Sequence, residues 1–285
     1  MRRRPVRAIA AVVAAAVWLF VVMIALREPR SDRPWDEEFS RTASAEMTTD
    51  GQALIRNVRD FTYGDGTTLS TRWIPEVAVN PKEIVKMWFL LEPFAKMKAI
   101  GHTFLSFELA DGSAYSFSIE ARREKGETYS AFRGLFREYE LNYAWGTERD
   151  FVTRRLLYLR HPVRMYPLNV SPERAQRLFV SLLGKTNGLT AHPRFYNTFS
   201  ANCTNMLATV VNQTKPGSVP FDPSWYLPGY SDRFLLRIGL IPMDGTVERT
   251  QRDHDLTPER DRVLGVASSP YSEFGRTLRS LLRGG

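Results

Sequence analysis

"HTFLSFELADGSAYSFSIEA", residues 102–121, contains two segments in which apolar and polar residues alternate. This pattern is typical of strands with one buried face. Between the segments lies Asp111-Gly112, a dipeptide that favours tight β-hairpin turns. The stretch therefore predicts two antiparallel strands, 102–109 and 114–121, joined by a two-residue turn.

Around this hairpin, apolar runs at 85–94, 151–159 and 164–170 predict further strands. Ser171, followed by Pro172 and Glu173, predicts the start of a helix. Five apolar residues in that segment follow the i, i+3, i+4, i+7, i+8 spacing of one helix face: Ala175, Leu178, Phe179, Leu182 and Leu183. We expect an α+β fold in which an antiparallel sheet packs on helices.

The two ends of the chain have a different composition. Residues 1–7 contain four arginines, and residues 8–26 contain no charged residue. A helix of that length, about 28 Å, predicts a transmembrane signal anchor with the basic flank in the cytoplasm. A cleaved signal peptide is the alternative. Residues 27–45 are predicted to form a tether, 46–245 a single domain, and 246–285 a polar tail that is loosely ordered or forms a short surface helix.

The net charge of +8 belongs mostly to the N-terminal segment. Residues 1–35 contain seven arginines against Glu28 and Asp32, which accounts for +5. A nucleic-acid-binding protein carries its excess charge on the folded part. We therefore expect no nucleic-acid partner.

Cys203 is the single cysteine of the chain, so the fold contains no internal disulfide. It begins a predicted helix that Ser200 or Asn202 can cap. The N-terminus of a helix stabilises a thiolate, and its free N–H groups can stabilise an oxyanion. Cys203 is thus a candidate nucleophile. A buried, inert core cysteine is the alternative, because unpaired cysteines are among the most buried residues.

A thiol nucleophile needs a base, and the sequence offers four histidines. His102 follows Gly101 at the start of a strand, which permits close approach of the backbone. The other three are expected in less suitable places, with His254 in an exposed tail and the remaining two, His161 and His192, in loops before prolines. His102 is the preferred candidate.

A third polar group would fix the orientation of His102, and Glu120 on the next strand is the candidate. A strict two-residue turn would place Glu120 on the opposite face from His102, and a β-bulge would correct this. Ser118 is the second choice, with the same difficulty. A salt bridge from Glu120 to Arg122 or Arg123 is the structural alternative.

With these residues in place, the chain resembles the DUF4105 family, also called the Lnb N-terminal periplasmic domain, over residues 55–243. The resemblance rests on six stretches: "GHTFLSFELADG" (101–112), "FSIEARREKGETYSAFRGLFREYEL" (117–141), "ERDFVTRRLLYLR" (148–160), "YPLNVSPERAQRLFVSLL" (166–183), "FYNTFSANCTNML" (195–207) and "LPGYSDRFLLRIGLI" (227–241). It implies a permuted papain-like fold of the NlpC/P60 type, in which the histidine strand precedes the cysteine helix.

The resemblance also implies a catalytic set. His102 and Cys203 match the family's histidine and cysteine, and Glu120 matches the acidic position of "IEARREKGE". Asn202 matches the asparagine beside the nucleophile, where it would cap the helix or shape the oxyanion site together with Thr204. Larger members append further transmembrane helices, and this chain ends soon after the matching region.

The implied activity is thioester-mediated acyl transfer at the inner membrane, with the main domain in the periplasm. Its substrate would be a lipid or a lipoprotein. The basic run with Arg122, Arg123 and Lys125 is a candidate contact for lipid phosphate, because arginine suits phosphate, and a solvated charged face is the alternative. The alternatives are a peptidoglycan or peptide amidohydrolase and a non-catalytic accessory domain. No cluster of residues has metal-ligand spacing, so we expect neither a metal nor a cofactor.

Overall fold

Residues 102–121 form two neighbouring strands in the middle of an eight-stranded sheet. The computed structural model describes residues 3–94 and 97–282. Its strands are β1 (Ser44–Met47), β2 (Ala53–Gly64), β3 (Thr67–Val79), β4 (Ile84–Glu92), β5 (His102–Leu109), β6 (Ala114–Arg122), β7 (Glu140–Thr147) and β8 (Arg164–Pro167). The predicted α+β class is confirmed.

The sheet order is β1-β2-β7-β6-β5-β4-β8, and β3 also pairs with β2. All strand pairs are antiparallel except β2 and β7, which are parallel and meet at Arg59 and Gly146. The sheet is therefore mixed, and the expectation of a purely antiparallel sheet is wrong. β7 therefore lies between the long N-terminal strand β2 and the central hairpin.

The hairpin turn contains three residues rather than the predicted two. The Leu109 N–H donates to the Ser113 carbonyl at 2.8 Å, and Gly112 has a φ of +89°, which glycine adopts without strain. The longer loop shifts the register by one residue, so that Phe104 pairs with Ser118. Continuing that register places His102 opposite Glu120 on one face, because side chains alternate along a strand.

The helices are α1 (Arg3–Ala25), α2 (Glu148–Thr153), α3 (Pro172–Ala191), α4 (Cys203–Thr214), α5 (Ser231–Arg237), α6 (Val247–Asp253), α7 (Arg260–Gly265) and α8 (Tyr271–Ser280). The predicted helices at Ser171 and Cys203 are confirmed, with Ser171 and Asn202 at the two N-cap positions. They pack on one face of the sheet, in a core that includes Phe107, Phe117 and Phe179.

The predicted strand at 151–159 is wrong, since this segment forms α2 and one turn of π-helix, Arg154–Tyr158. The Thr147 side chain caps the first turn by accepting from the Asp150 N–H, and Glu148 and Asp150 supply the negative charge that a helix N-terminus favours. The apolar run that suggests a strand is the buried side of this helix.

The C-terminal segment is part of the core, which corrects the prediction of a polar tail that is loosely ordered or forms a short surface helix. Phe274 and Leu278 are fully buried against the second face of the sheet, together with Leu256 and Val263. His254 is buried as well and stacks on Tyr166, with ring centroids 5.2 Å apart. Because the apolar residues are spaced along short amphipathic helices between many charges, composition alone conceals them.

The predicted tether also contacts the domain. Trp35, Phe39 and Ala43 are buried, and the Arg122 guanidinium lies 4.0 Å from the centre of the Trp35 ring. Residues 35–45 are therefore anchored to the sheet, in contrast to the flexible link expected from their composition.

The uncharged N-terminal run lies in α1. Among the residues that the structure describes, no helix meets the length and hydropathy that a membrane span requires. Residues 1–2 of the predicted basic flank and 283–285 of the predicted tail lie outside the described residues.

Candidate active site

Cys203 is the first residue of α4, and Asn202 caps that helix. The Asn202 Oδ1 accepts hydrogen bonds from the N–H groups of Thr204 and Asn205, both at 2.9 Å. Its Nδ2 donates to the carbonyls of Thr198 and Trp225. The Asn202 amide is thus fully used in holding the helix start, which is the capping role among the two alternatives for this residue.

This cap determines which N–H groups face a substrate. The N–H groups of Thr204 and Asn205 donate to the Asn202 side chain. The Cys203 N–H has no hydrogen-bond acceptor within residues 3–94 and 97–282. The Thr204 hydroxyl lies 3.1 Å from that of Thr103. The N–H of the nucleophile itself is therefore the group best placed to stabilise an oxyanion.

His102 opens β5 and lines the same cavity as Cys203, and each of the two groups shifts the pKa of the other. Its Nε2 lies 2.7 Å from Ser118 Oγ and 3.2 Å from Glu120 Oε1, and Ser118 in turn donates to Glu120 at 2.6 Å. The other ring nitrogen of His102, Nδ1, is therefore the one that can interact with the Cys203 thiol. The structure thus brings together the predicted cysteine, histidine and glutamate, and Ser118 lies between the last two.

Gly101 precedes the histidine because the chains approach closely there. A Cβ atom at Gly101 would lie 3.2 Å from the Glu92 carbonyl oxygen and 3.3 Å from the backbone of Gly229. A larger residue would displace the first residue of β5. The glycine therefore lets His102 sit where β4, β5 and the segment around Gly229 meet.

The charges of the site favour an ion pair. Burial disfavours the imidazolium, but the Glu120 carboxylate and the Cys203 thiolate outweigh burial and raise the pKa of His102 to about 10. Burial also opposes the thiolate, yet His102 lowers the pKa of Cys203 below its ordinary value. The Glu120 pKa lies well below its usual range, because His102 and Arg155 outweigh the burial of its carboxylate.

Sequence reasoning missed three residues that extend this set. Glu92 on β4 pairs directly with His102 across the sheet. Arg155 bridges two carboxylates, with Nη2 3.0 Å from Glu120 Oε1 and Nε 2.9 Å from Glu92 Oε2. His161 Nδ1 lies 2.6 Å from Glu92 Oε1. Glu92 could have been found from the sequence, because it is the acidic residue near the end of the apolar run that precedes the histidine strand.

Cys203, which is 3 % exposed, is among the residues that line a cavity of about 410 Å³. Apolar and cationic groups line it, including Phe94, Ile100, Leu159, Arg123 and Arg154. A cleft of mixed lining with a few convergent polar groups is typical of a binding site for a small or amphiphilic molecule.

The three predicted phosphate contacts have different surroundings. Arg123 lines this cavity, although its guanidinium also pairs with Glu38. Arg122 is buried and donates to the Phe39 carbonyl, and Lys125 is exposed outside the cavity lining. Of the three, only Arg123 is positioned to meet a ligand there.

Within the described residues, the other three histidines form no hydrogen bond with the Cys203 thiol. His192 is exposed, as predicted. His161 lies in a loop, as predicted, and lines the cavity beside Phe94. His254, predicted to be exposed, is instead buried and bonded to the Thr250 carbonyl.

A thiol on a helix start, an imidazole on the adjacent strand and a carboxylate behind it define a candidate thiol-enzyme site. The family described as the Lnb N-terminal periplasmic domain matches residues 71–226, more than half of the chain. The protein belongs to this family, whose description assigns the domain to the periplasm. No curated protein and no solved structure matches the chain.

Proposed function

We propose that this protein is a periplasmic thiol enzyme that transfers an acyl group from a membrane lipid or lipoprotein through a thioester on Cys203. The observation that carries the proposal is the Cys203–His102 pair, supported by Glu120 and Ser118, at the base of an open cavity. The order of histidine strand and cysteine helix also suits a permuted papain-like fold of the NlpC/P60 type.

In the acylation step, the Cys203 thiolate attacks the carbonyl carbon of an ester, and a C–S bond forms. The carbonyl π electrons move to oxygen, where the free Cys203 N–H stabilises the negative charge. As the intermediate collapses, the C–O bond to the leaving alcohol breaks. The His102 imidazolium gives its proton to that oxygen.

The second step releases the acyl group. An amine or a water molecule loses a proton to His102 and attacks the thioester carbon, so that the new C–N or C–O bond replaces the C–S bond. The sulfur leaves as a thiolate. Glu120 and Ser118 hold the imidazole in one orientation through both steps, and Glu120 stabilises the imidazolium that is present before the first step and forms again in the second.

The lining of the cavity supports an amphiphilic substrate. Phe94, Ile100 and Leu159 offer contacts for an acyl chain, and Arg123 and Arg154, which both pair with Glu38, belong to the same lining. Arginine suits the carboxylates and phosphates found in lipid head groups. A cell-wall peptide has less apolar surface to bury here, so an acyl substrate fits this cavity better.

We propose in addition that the N-terminal segment attaches the domain to the inner membrane, with residues 1–7 in the cytoplasm. Its support is the exposure of large apolar side chains along α1, including Ile9, Val12 and Trp18 at 65, 69 and 68 %. Deletion of residues 1–27, with a periplasmic export signal supplied, is expected to move the protein from the membrane pellet to the soluble periplasmic fraction. Retention of the deleted form in the pellet would contradict this attachment.

A covalent adduct tests the thioester. Incubation of the full chain with p-nitrophenyl octanoate is expected to add one octanoyl group to Cys203, which intact mass spectrometry detects and neutral hydroxylamine removes. Cys203→Ala should form no such adduct, whereas Lys125→Ala, an exposed substitution outside the cavity, should form it at the wild-type rate.

The fate of the adduct separates the alternatives. Faster loss with an added amine, accompanied by an N-octanoyl product, supports transfer. Loss to octanoate alone, regardless of the amine, supports a hydrolase of the amidohydrolase type. A wild-type protein that forms no adduct, while its thiol is accessible to a small alkylating agent, would rule out acyl chemistry at this site.

A further inference from the structure

A second apolar groove lies behind the catalytic helix, between α4, α3, α5 and the sheet. It has a volume of about 90 Å³, and its walls include Met87, Leu105, Leu178, Leu207, Val211 and Phe234. About 10–15 Å³ of such volume holds one water-sized group, so the groove has room for roughly six to nine of them. It does not include Cys203, His102 or Glu120.

The groove follows α4 for its whole length. Thr204, Leu207, Ala208, Val211 and Lys215 line it, a spacing that forms one stripe on the helix. Eleven residues separate Thr204 from Lys215, which corresponds to about 16 Å at 1.5 Å per residue. The shape is therefore long and narrow, and suits an extended hydrocarbon chain.

One end of the groove is cationic. Arg174 and Arg177 on α3 and Lys215 after α4 belong to its lining, and no carboxylate does. Within the described parts of the chain, none of these three cations forms a salt bridge, although most other arginines near the core do. Arg177 and Lys215 are exposed, so they can meet a charged group at the surface.

A further polar atom in the lining is unpaired. The Trp225 indole Nε1 is buried and has no hydrogen-bond partner within residues 3–94 and 97–282. Buried indole N–H groups usually find an acceptor.

We infer that this groove binds the hydrocarbon chain of an anionic amphiphile, whose head group contacts Arg177 and Lys215. A fatty-acid carboxylate and a lipid phosphate share the required chemistry, a single anionic group on a medium-length chain. The hydrocarbon buries apolar surface, and the two exposed cations select the anionic head.

This site is independent of the proposed thiol chemistry. Thr103 and Thr204 line the groove, and Cys203, whose sulfur lies 3.8 Å from the Thr204 hydroxyl, does not. Binding in the groove therefore needs no reaction at the thiol. Cys203→Ala is expected to bind the amphiphile as the wild type does.

Native mass spectrometry of the full chain, released from non-ionic detergent micelles, tests the inference. We expect a one-to-one adduct with decanoate or decyl phosphate, and at least tenfold weaker adducts with decanol and with inorganic phosphate. Comparison of decanoate with decyl phosphate identifies the head group. The double variant Arg177→Glu/Lys215→Glu should weaken binding at least tenfold, whereas Lys185→Glu, an exposed charge reversal on α3 outside the groove, should not.

A substitution in the groove completes the test. Leu207→Trp, which fills the space beside α4, should abolish the adduct, provided that its melting temperature shows a folded protein. Equal binding of decanol and decanoate would overturn the role of the cations. An unchanged adduct in the charge-reversal variant, or loss of the adduct in Cys203→Ala, would place the amphiphile elsewhere and overturn the inference.

Discussion

Replacing His102 by alanine is expected to lower the rate of Cys203 alkylation by iodoacetamide at pH 7 at least about tenfold, because a thiol with an ordinary pKa near 8.5 is only about 3 % thiolate at that pH. In the native protein, the imidazolium stabilises the thiolate against the cost of burial. Without that cation, only the hydrogen bonds with Thr103 oppose the cost of burial, so we expect the pKa of Cys203 to rise.

The pH dependence follows from the signs of the two shifts. The ion pair exists between the lowered pKa of Cys203 and the raised pKa of His102, about 10. As pH falls through the lower value, the thiolate is protonated and the alkylation rate falls. As pH rises through about 10, the imidazolium loses its proton, and acyl transfer loses the acid that protonates the leaving group. Since the two groups are coupled, both transitions belong to the pair.

The matched control is His192→Ala, which removes an exposed histidine and should leave the profile of alkylation against pH unchanged. The His102→Ala profile should show a single transition at or above pH 8.5. Identical profiles for the wild type and His102→Ala would show that the imidazole does not control the thiol. Cys203 would then be a core cysteine, and the search would turn to binding partners.

Much of this site follows from local patterns. The alternation in 102–109 and 114–121 predicts both strands of the hairpin, and the apolar spacing after Asn202 predicts the cysteine helix. What local pattern did not provide was the register. The turn contains three residues, and that one-residue difference decides whether Glu120 faces His102.

The other features of the site and of the fold depend on contacts between segments that are distant in the sequence. Arg155 lies in a run that resembles a strand, and its position beside Glu120 results from the helical and π-helical turns that follow Thr147. The burial of 246–282 likewise depends on a free sheet face that the sequence does not reveal. A short stretch of sequence does not show which residue pairs with a buried charge, nor which segment packs on a face of the sheet.

Arg155 itself is the position where a single substitution should cost the most stability. It is 1 % exposed, its guanidinium lies between Glu92 and Glu120, and it stacks 4.2 Å above the Phe104 ring. The Nε contact with Glu92 is Coulombic, because this N–H is not aligned for a hydrogen bond, whereas Nη2 donates to Glu120. One cation thus contacts the buried Glu92 carboxylate and the partly exposed Glu120 carboxylate on either side of the candidate base.

Arg155→Met keeps much of the side-chain volume and removes that charge, so it is expected to lower the free energy of unfolding by about 3–5 kcal/mol, the typical cost of leaving a buried ionic partner uncompensated. Arg160→Met is the matched control. Its pair with Asp65 is exposed on both sides, and loss of such a pair costs about 0–1 kcal/mol. Denaturant unfolding of the two variants gives the comparison.

A second substitution tests the cause of that loss. Glu92→Gln removes one of the two carboxylates, so in combination with Arg155→Met it should recover part of the lost stability, while Glu120 keeps His102 as its partner. A double variant less stable than Arg155→Met would show that packing of the guanidinium over Phe104, and not its charge, is what matters. If Arg155→Met unfolds at the denaturant concentration of Arg160→Met, the carboxylates beside His102 need no cation, and the base is positioned by Ser118 and Glu120 alone.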